Sequence, residues 1–157
     1  MTENARILII DDDENIRRFL ETILTDEGYN VECADTANRG IEKTQSGFFN
    51  IALVDVRLPD MEGIDVLPKL RSTKPEMRKI IVTGYPTLQN AISAVNNGAN
   101  AYVMKPFDVE KILNTIKEQL QKQKEEKLTC EENVAEFIET RIKELESKEP
   151  KPTKKTK

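Results

Sequence analysis

Five short apolar runs recur through the first 122 residues: Ile7-Leu8-Ile9-Ile10, Val31 to Ala34, Ile51 to Val54, Ile80-Ile81-Val82 and Ala101 to Met104. They are mostly unbroken stretches of β-formers rather than alternating apolar and polar residues. That pattern suits strands covered on both faces, as in a parallel sheet. Amphipathic stretches fill the gaps. Ile16, Phe19, Leu20, Ile23 and Leu24 follow a helical period, and Gly28 stands after them as a stop signal. Further helices are expected at 37–46, 63–73, 88–97 and 108–122, with Gly98 closing the fourth. Pro68 conflicts with the third, because a proline inside a helix removes a backbone donor and kinks or shortens it. Five strand and helix repeats with right-handed crossovers make an α/β fold, a doubly wound five-stranded parallel sheet.

Composition narrows the chemistry. The 157 residues contain no histidine, so the chain holds no Ser-His-Asp or Cys-His pair and no His-ligated zinc or haem of its own. Phosphohistidine chemistry would need a partner to supply the imidazole. Residues 1–122 carry 15 basic and 19 acidic side chains, and 123–157 carry 9 of each. The net charge of -4 therefore belongs to the first segment and argues against a general polyanion binder. Cys33 and Cys130 lie far apart, Met1 to Arg6 is polar, and no apolar stretch nears the roughly 18 residues of a membrane span. These features lead us to expect a soluble, reduced, cytoplasmic protein without membrane insertion.

In open parallel sheets, ligands bind beyond the carboxyl ends of the strands. The residues there are Asp11-Asp12-Asp13 after the first run, Asp55 ending the third, Thr83 ending the fourth, and Lys105-Pro106 after the fifth. Taken singly, each has an ordinary role as a helix cap, a strand-end hydroxyl or a turn. Together they place carboxylates, a hydroxyl and an amine at one sheet edge. Adjacent strands lie about 4.8 Å apart, so carboxylates after the first and third strands can share one small cation. An all-oxygen set favours Mg²⁺. A carboxylate beside that ion can attack a phosphoryl group, with Lys105 and the Thr83 hydroxyl holding the other phosphoryl oxygens.

The stretches Ile7 to Arg17, Leu53-Val54-Asp55-Val56-Arg57-Leu58-Pro59-Asp60-Met61-Glu62-Gly63, Val82-Thr83-Gly84 and Tyr102-Val103-Met104-Lys105-Pro106-Phe107 resemble the receiver domains of two-component response regulators. The resemblance covers about residues 5–122. It implies a CheY-like, flavodoxin-like sheet of order 2-1-3-4-5, a phosphoacceptor at Asp55, and Mg²⁺ held by Asp11, Asp12, Asp55 and the backbone carbonyl of Arg57. It further implies Thr83 as the switch hydroxyl, Lys105 as the phosphate-contacting lysine, Tyr102 as an aromatic that turns inward with Thr83, and a sensor histidine kinase as phosphodonor. The α4–β5–α5 face would carry the signal. Asp13 falls outside the acidic pair and is expected to cap the first helix. Arg57 and Tyr85 stand where they would slow loss of the phosphoryl group, and Gly84 replaces a common alanine.

The remainder reads as a helical extension over 123–147 and a Lys-rich tail over 148–157, after a receiver segment 1–122. Gln121 to Lys127 is polar on every face, as a helix extension or a linker. Thr129 and Glu132 form a capping box ahead of a second helix, whose stripe is Val134, Phe137, Ile138, Ile142 and Leu145. That stripe must pack on the receiver, on a second copy as a homodimer, or on a partner, and two heptads are short for a coiled coil. These 35 residues lack a turn glycine, which disfavours direct DNA binding through a helix-turn-helix. The expected output is protein contact with an undetermined downstream target, and no enzymatic role beyond phosphoryl uptake and hydrolysis. A haloacid-dehalogenase-type phosphatase would use Asp11-Asp12-Asp13 as its D-x-D but would leave Asp55 and the Leu58 to Gly63 stretch idle. A phosphorylation-independent scaffold would not need the intact set of five residues.

Overall fold

The computed structural model describes residues 5–70, 76–84 and 86–148, with the side chains of 129–134, 147 and 148 outside the description. Five strands form one parallel sheet: β1 (Arg6–Ile10), β2 (Asn30–Ala34), β3 (Ile51–Asp55), β4 (Arg78–Thr83) and β5 (Ala101–Met104), in the order β2-β1-β3-β4-β5. All the pairings are parallel. The helices are α1 (Glu14–Asp26), α2 (Ala37–Ser46), α3 (Gly63–Val66), α4 (Leu88–Asn96) and α5 (Val109–Lys148).

Period-2 geometry splits each strand between two cores. Leu8, Ile10, Ala52, Val54 and Ile81 face α2, α3 and α4, whereas Ile7, Ile9, Leu53, Ile80 and Val103 face Leu20 and Leu24 of α1 and Ile112 and Ile116 of α5. The central strand β3 is buried throughout, as its unbroken apolar run requires. The edge strands differ: β2 is only partly covered except at Ala34, and β5 exposes Met104. Gly28 and Gly98 follow α1 and α4 with φ of 97° and 103°, a conformation that side-chain-bearing residues seldom adopt.

Two sequence expectations need correction. The third helix does not reach residue 73. It is one turn long and tightens into a 3-10 turn over Leu67–Lys69, because Pro68 has no N–H to offer the carbonyl of Ile64. The capping box at Thr129 does not start a second helix: α5 continues without a break to Lys148. The polar run after Leu120 is an extension of α5, one of the two alternatives the sequence left open, and one of its residues turns inward. Gln123 is buried, donating from Nε2 to the carbonyls of Asn50 at 3.0 Å and Glu76 at 2.8 Å while its Oε1 accepts from Asn50 Nδ2 at 3.0 Å. A glutamine at this turn closes the amino-terminal edge of the sheet by giving a donor to the Glu76 carbonyl and a second one to the Asn50 carbonyl, which also accepts from the Arg78 N–H at 2.9 Å. Gln123→Ala removes three hydrogen bonds at this edge, and is expected to cost about 2 kcal/mol in urea unfolding with phosphoryl uptake unchanged.

The chain divides into two units, Met1–Gln123 and Lys124–Lys157. Cys33, on β2, is a half-buried free thiol whose pKa burial pushes up, and the side chain of Cys130 falls outside the described residues. Among the described residues no helix is long and apolar enough to cross a membrane.

Candidate functional site

The parallel sheet delivers the predicted residues to its carboxyl edge. Asp11 directly follows β1, and its N–H donates to the Ala34 carbonyl at 3.1 Å, extending the ladder by one residue. Its backbone is fixed further by Arg17, whose Nη1 donates to the Asp11 carbonyl at 2.8 Å. The Asp11 carboxylate accepts from the Asp13 N–H at 2.9 Å through Oδ1 and from Lys105 Nζ at 2.9 Å through Oδ2. Lys105 also reaches Asp55, at 3.7 Å from Oδ2. The lysine is set there because its own N–H continues the β4–β5 pairing, donating to the Thr83 carbonyl at 2.7 Å.

Asp11, Asp12 and Asp55 each offer a carboxylate oxygen within 4.8 Å of the others. Asp11 and Asp55 are buried and Asp12 is exposed, so the cluster is walled on one side and open on the other. This donor set fits a hard divalent cation of Mg²⁺ type, which takes one or two carboxylates and keeps room for water or phosphate oxygens. The electrostatics agree. Burial pushes the Asp55 carboxyl up to about 6, the Asp11 charge adds to this, and Lys105 only partly offsets them. A bound cation would supply the counter-charge that Lys105 does not.

Asp13 lies apart from the cluster and caps α1, accepting from Asn15 and Ile16, as expected. Thr83 is fully buried at the end of β4. Tyr102 is half-buried on β5, with a buried hydroxyl that has no hydrogen-bond partner among the described residues. Arg57 exposes its side chain, while its backbone is braced by an antiparallel bridge to Glu62. Tyr85 lies outside the described residues. At Gly84 an added Cβ would sit 3.9 Å from Lys105 Cβ, an ordinary contact, so the alanine common at this position also fits.

Two supporting residues stood inside the quoted motif without an assigned role. Asp60 accepts from the N–H groups of Ala37 and Asn38, both at 2.9 Å. These are the unpaired donors of the α2 amino terminus, and they hold the Asp60 carboxyl below its usual range, Ala37 first. Gly63 donates to the Val56 carbonyl at 2.6 Å, and a Cβ there would lie 1.8 Å from the Asp55 carbonyl oxygen. The turn from Arg57 to Glu62 is thus pinned at Asp60 and pressed onto the end of β3 at Gly63.

A sequence model of the response regulator receiver domain matches residues 7–117. The chain belongs to the response regulator receiver family. This receiver is 34% identical over 123 residues to the regulatory protein AtoC of Escherichia coli, covering 78% of the present chain and 27% of AtoC. It is similar to a CheY-like receiver domain protein from Methanospirillum hungatei, with 48% identity, a TM-score of 0.74, and coverage of 78% and 98% of the two chains. It is also similar to the beryllofluoride-activated NtrC4 receiver domain dimer, at 32% identity and a TM-score of 0.71, covering 78% and 99%. The chain spans about half the length or less of the curated relatives it matches. Receiver domains are signalling domains of two-component systems, and the doubly wound fold expected from the sequence is the fold observed.

Proposed function

We propose that this receiver takes a phosphoryl group from a phosphohistidine of a separate sensor kinase onto Asp55 and signals through phosphorylation-dependent protein contacts. The supporting observation is the carboxylate cluster of Asp11, Asp12 and Asp55 with the Lys105 ammonium between Asp11 and Asp55. Asp11, Asp12, Asp55 and the Arg57 carbonyl would hold Mg²⁺, which supplies positive charge to the transferring phosphoryl oxygens. With its pKa near 6 the Asp55 carboxylate is mostly ionised at neutral pH, and so able to attack. Its oxygen forms the bond to phosphorus as the P–N bond to the donor imidazole breaks, leaving the aspartyl phosphate. Lys105 moves its proton-rich end from Asp11 toward the new phosphoryl oxygens, and Thr83 turns its hydroxyl to another.

In this reading Tyr102 follows Thr83 inward, and the α4–β5–α5 face changes its population of states. Leu88, Ile92 and Val95 stand on one side of α4 and, with Met104 of β5, are all exposed. That aliphatic patch favours a protein partner over DNA. The beryllofluoride-activated NtrC4 receiver domain is a dimer, and self-association is the reading carried over from it. The receiver would occupy 1–122, the extension 123–147 and the tail 148–157 of a cytoplasmic protein.

Mass spectrometry after treatment with acetyl phosphate and Mg²⁺ tests the assignment. Phosphate on Asp55 supports it, and phosphate on Asp11 would return the phosphatase reading. Arg57→Ala is expected to shorten the phosphoryl half-life several-fold, because the exposed guanidinium stands beside the route of the attacking water. An unchanged half-life would remove Arg57 from that role.

A further inference from the structure

Of the three carboxylates in the cluster, Asp12 is the one that no strand holds. Asp55 is the last residue of β3 and Asp11 extends the β1 ladder by one, whereas Asp12 is exposed in the turn between β1 and α1. Its position is set by the two peptide planes that flank it, because a residue between two fixed planes has no free backbone torsion left. The plane after it is held by the Asp13 N–H, which donates to Asp11 Oδ1 at 2.9 Å. The plane before it is held by the Asp11 carbonyl, which accepts from Arg17 Nη1 at 2.8 Å. Those two anchors are not equivalent. The first depends on the Asp11 carboxylate, itself a candidate ligand already shared with Lys105. The second comes from a side chain outside the cluster. We propose that Arg17 is a positioning residue for the cation site, fixing the Asp11–Asp12 peptide so that the Asp12 carboxylate stands ready beside those of Asp11 and Asp55.

The helix is what aims Arg17. Side chains of an α-helix tilt toward its amino terminus, so a residue near its start reaches back over the loop that leads in. Arg17 is the fourth residue of α1, Asp13 caps that helix, and the Arg17 N–H donates to the Asp13 carbonyl at 3.0 Å. Leu20, three residues on, is buried in the core and keeps this end of the helix in place. Arg17 is half-buried and lies near enough to Cys33 of β2 for its charge to act on that thiol. A positive charge in this place would by itself oppose a divalent cation. What Arg17 gives the site is therefore the hydrogen bond rather than the charge, and the two have effects of opposite sign.

The inference rests on the reading of the cluster as a Mg²⁺ site, and calorimetric titration of Mg²⁺ into the whole metal-free chain tests the two separately. Arg17→Met keeps the aliphatic stem and removes donor and charge. It is expected to weaken Mg²⁺ binding about tenfold, the usual cost of losing a group that orients a ligand. Arg17→Lys keeps the charge on a shorter arm and should weaken binding by a smaller factor. Arg18→Met, one residue along, removes a guanidinium that pairs with exposed Glu14 at 2.8 Å, and should leave the affinity within about twofold of wild type. In acetyl phosphate uptake the Mg²⁺ concentration at half-saturation should rise by the factor seen in the titration, with the rate at saturating Mg²⁺ falling less. Melting of Arg17→Met in chelator should stay within about 4 °C of wild type, the size of one lost hydrogen bond in a chain of this length. Mg²⁺ binding that is unchanged or tighter in Arg17→Met overturns the brace, since tighter binding is what loss of a repelling charge would give. A loss of affinity shared by Arg18→Met, or one that comes with a much lower melting temperature in chelator, overturns it too. Wild type that binds no Mg²⁺ overturns the cation reading and the brace with it, whereas wild-type binding with Arg17→Met unchanged overturns the brace alone.

Discussion

Asp55→Asn is expected to abolish phosphoryl uptake and, at the same time, to make the metal-free protein more stable. The first half follows from losing the nucleophile. The second follows from the position of Asp55 at the buried end of β3, where burial and the neighbouring Asp11 raise its carboxyl from an ordinary 3.8 to about 6. Between those values the folded chain binds a proton that the unfolded chain has released, so stability falls as pH rises through this window and levels off above it. At pH 7.5 in chelator the ionised carboxylate costs the folded state up to about 3 kcal/mol. Asparagine keeps the shape and removes the charge. Thermal melts from pH 4 to 8 should therefore show wild type and variant together at the acid end and apart above pH 6, with the variant higher. Mg²⁺ should raise the wild-type melting temperature and narrow the gap, with little effect on Asp55→Asn. A variant less stable than wild type at pH 7.5 in chelator would mean that Lys105 compensates Asp55 more fully than the geometry allows.

The same residue shows what a sequence makes legible. Asp55 stood out because it interrupts a run of β-formers at the end where ligands bind, and the strand itself was visible because β3 is buried on both faces and tolerates no polar alternation. Asp11, Thr83 and Lys105 were legible for the same reason: each is adjacent in sequence to a buried strand, and the parallel order brings those ends together. Features that depend on contacts between distant residues were not. The hold of Asp60 on the α2 amino terminus spans 23 residues, and nothing in a motif of short polar residues says which donors it will meet. Gln123 looks like one more solvated residue of a charged stretch until the helical turn carries it under β3 and β4. The capping box at Thr129 was a correct local preference overruled by propagation. A helix already nucleated upstream adds residues more readily than it breaks and restarts.

Gly63→Ala should be the most damaging single methyl group in the domain. The added Cβ would stand 1.8 Å from the Asp55 carbonyl oxygen, 2.7 Å from its carbonyl carbon and 3.0 Å from Val56 Cα. All three are backbone atoms that no rotamer change can withdraw, so either the first turn of α3 or the end of β3 must move. Moving α3 breaks the 2.6 Å hydrogen bond from Gly63 to Val56 and loosens the Arg57–Glu62 bridge, which together fix the Arg57 carbonyl. Moving β3 shifts Asp55, the proposed phosphoacceptor. Overpacking of this kind costs about 3 kcal/mol, and a displacement near 1 Å at a reacting group costs about 100-fold in rate. The expected result is a lowered urea midpoint together with phosphoryl uptake slowed about 100-fold per folded molecule and weakened Mg²⁺ binding. Gly84→Ala is the internal comparison. It also adds a methyl group beside the site, but its nearest neighbour is Lys105 Cβ at 3.9 Å, so uptake should stay within about twofold of wild type. If Gly63→Ala matched Gly84→Ala in both stability and uptake, the close seating of α3 on the Asp55 backbone would not be what holds Asp55 in place.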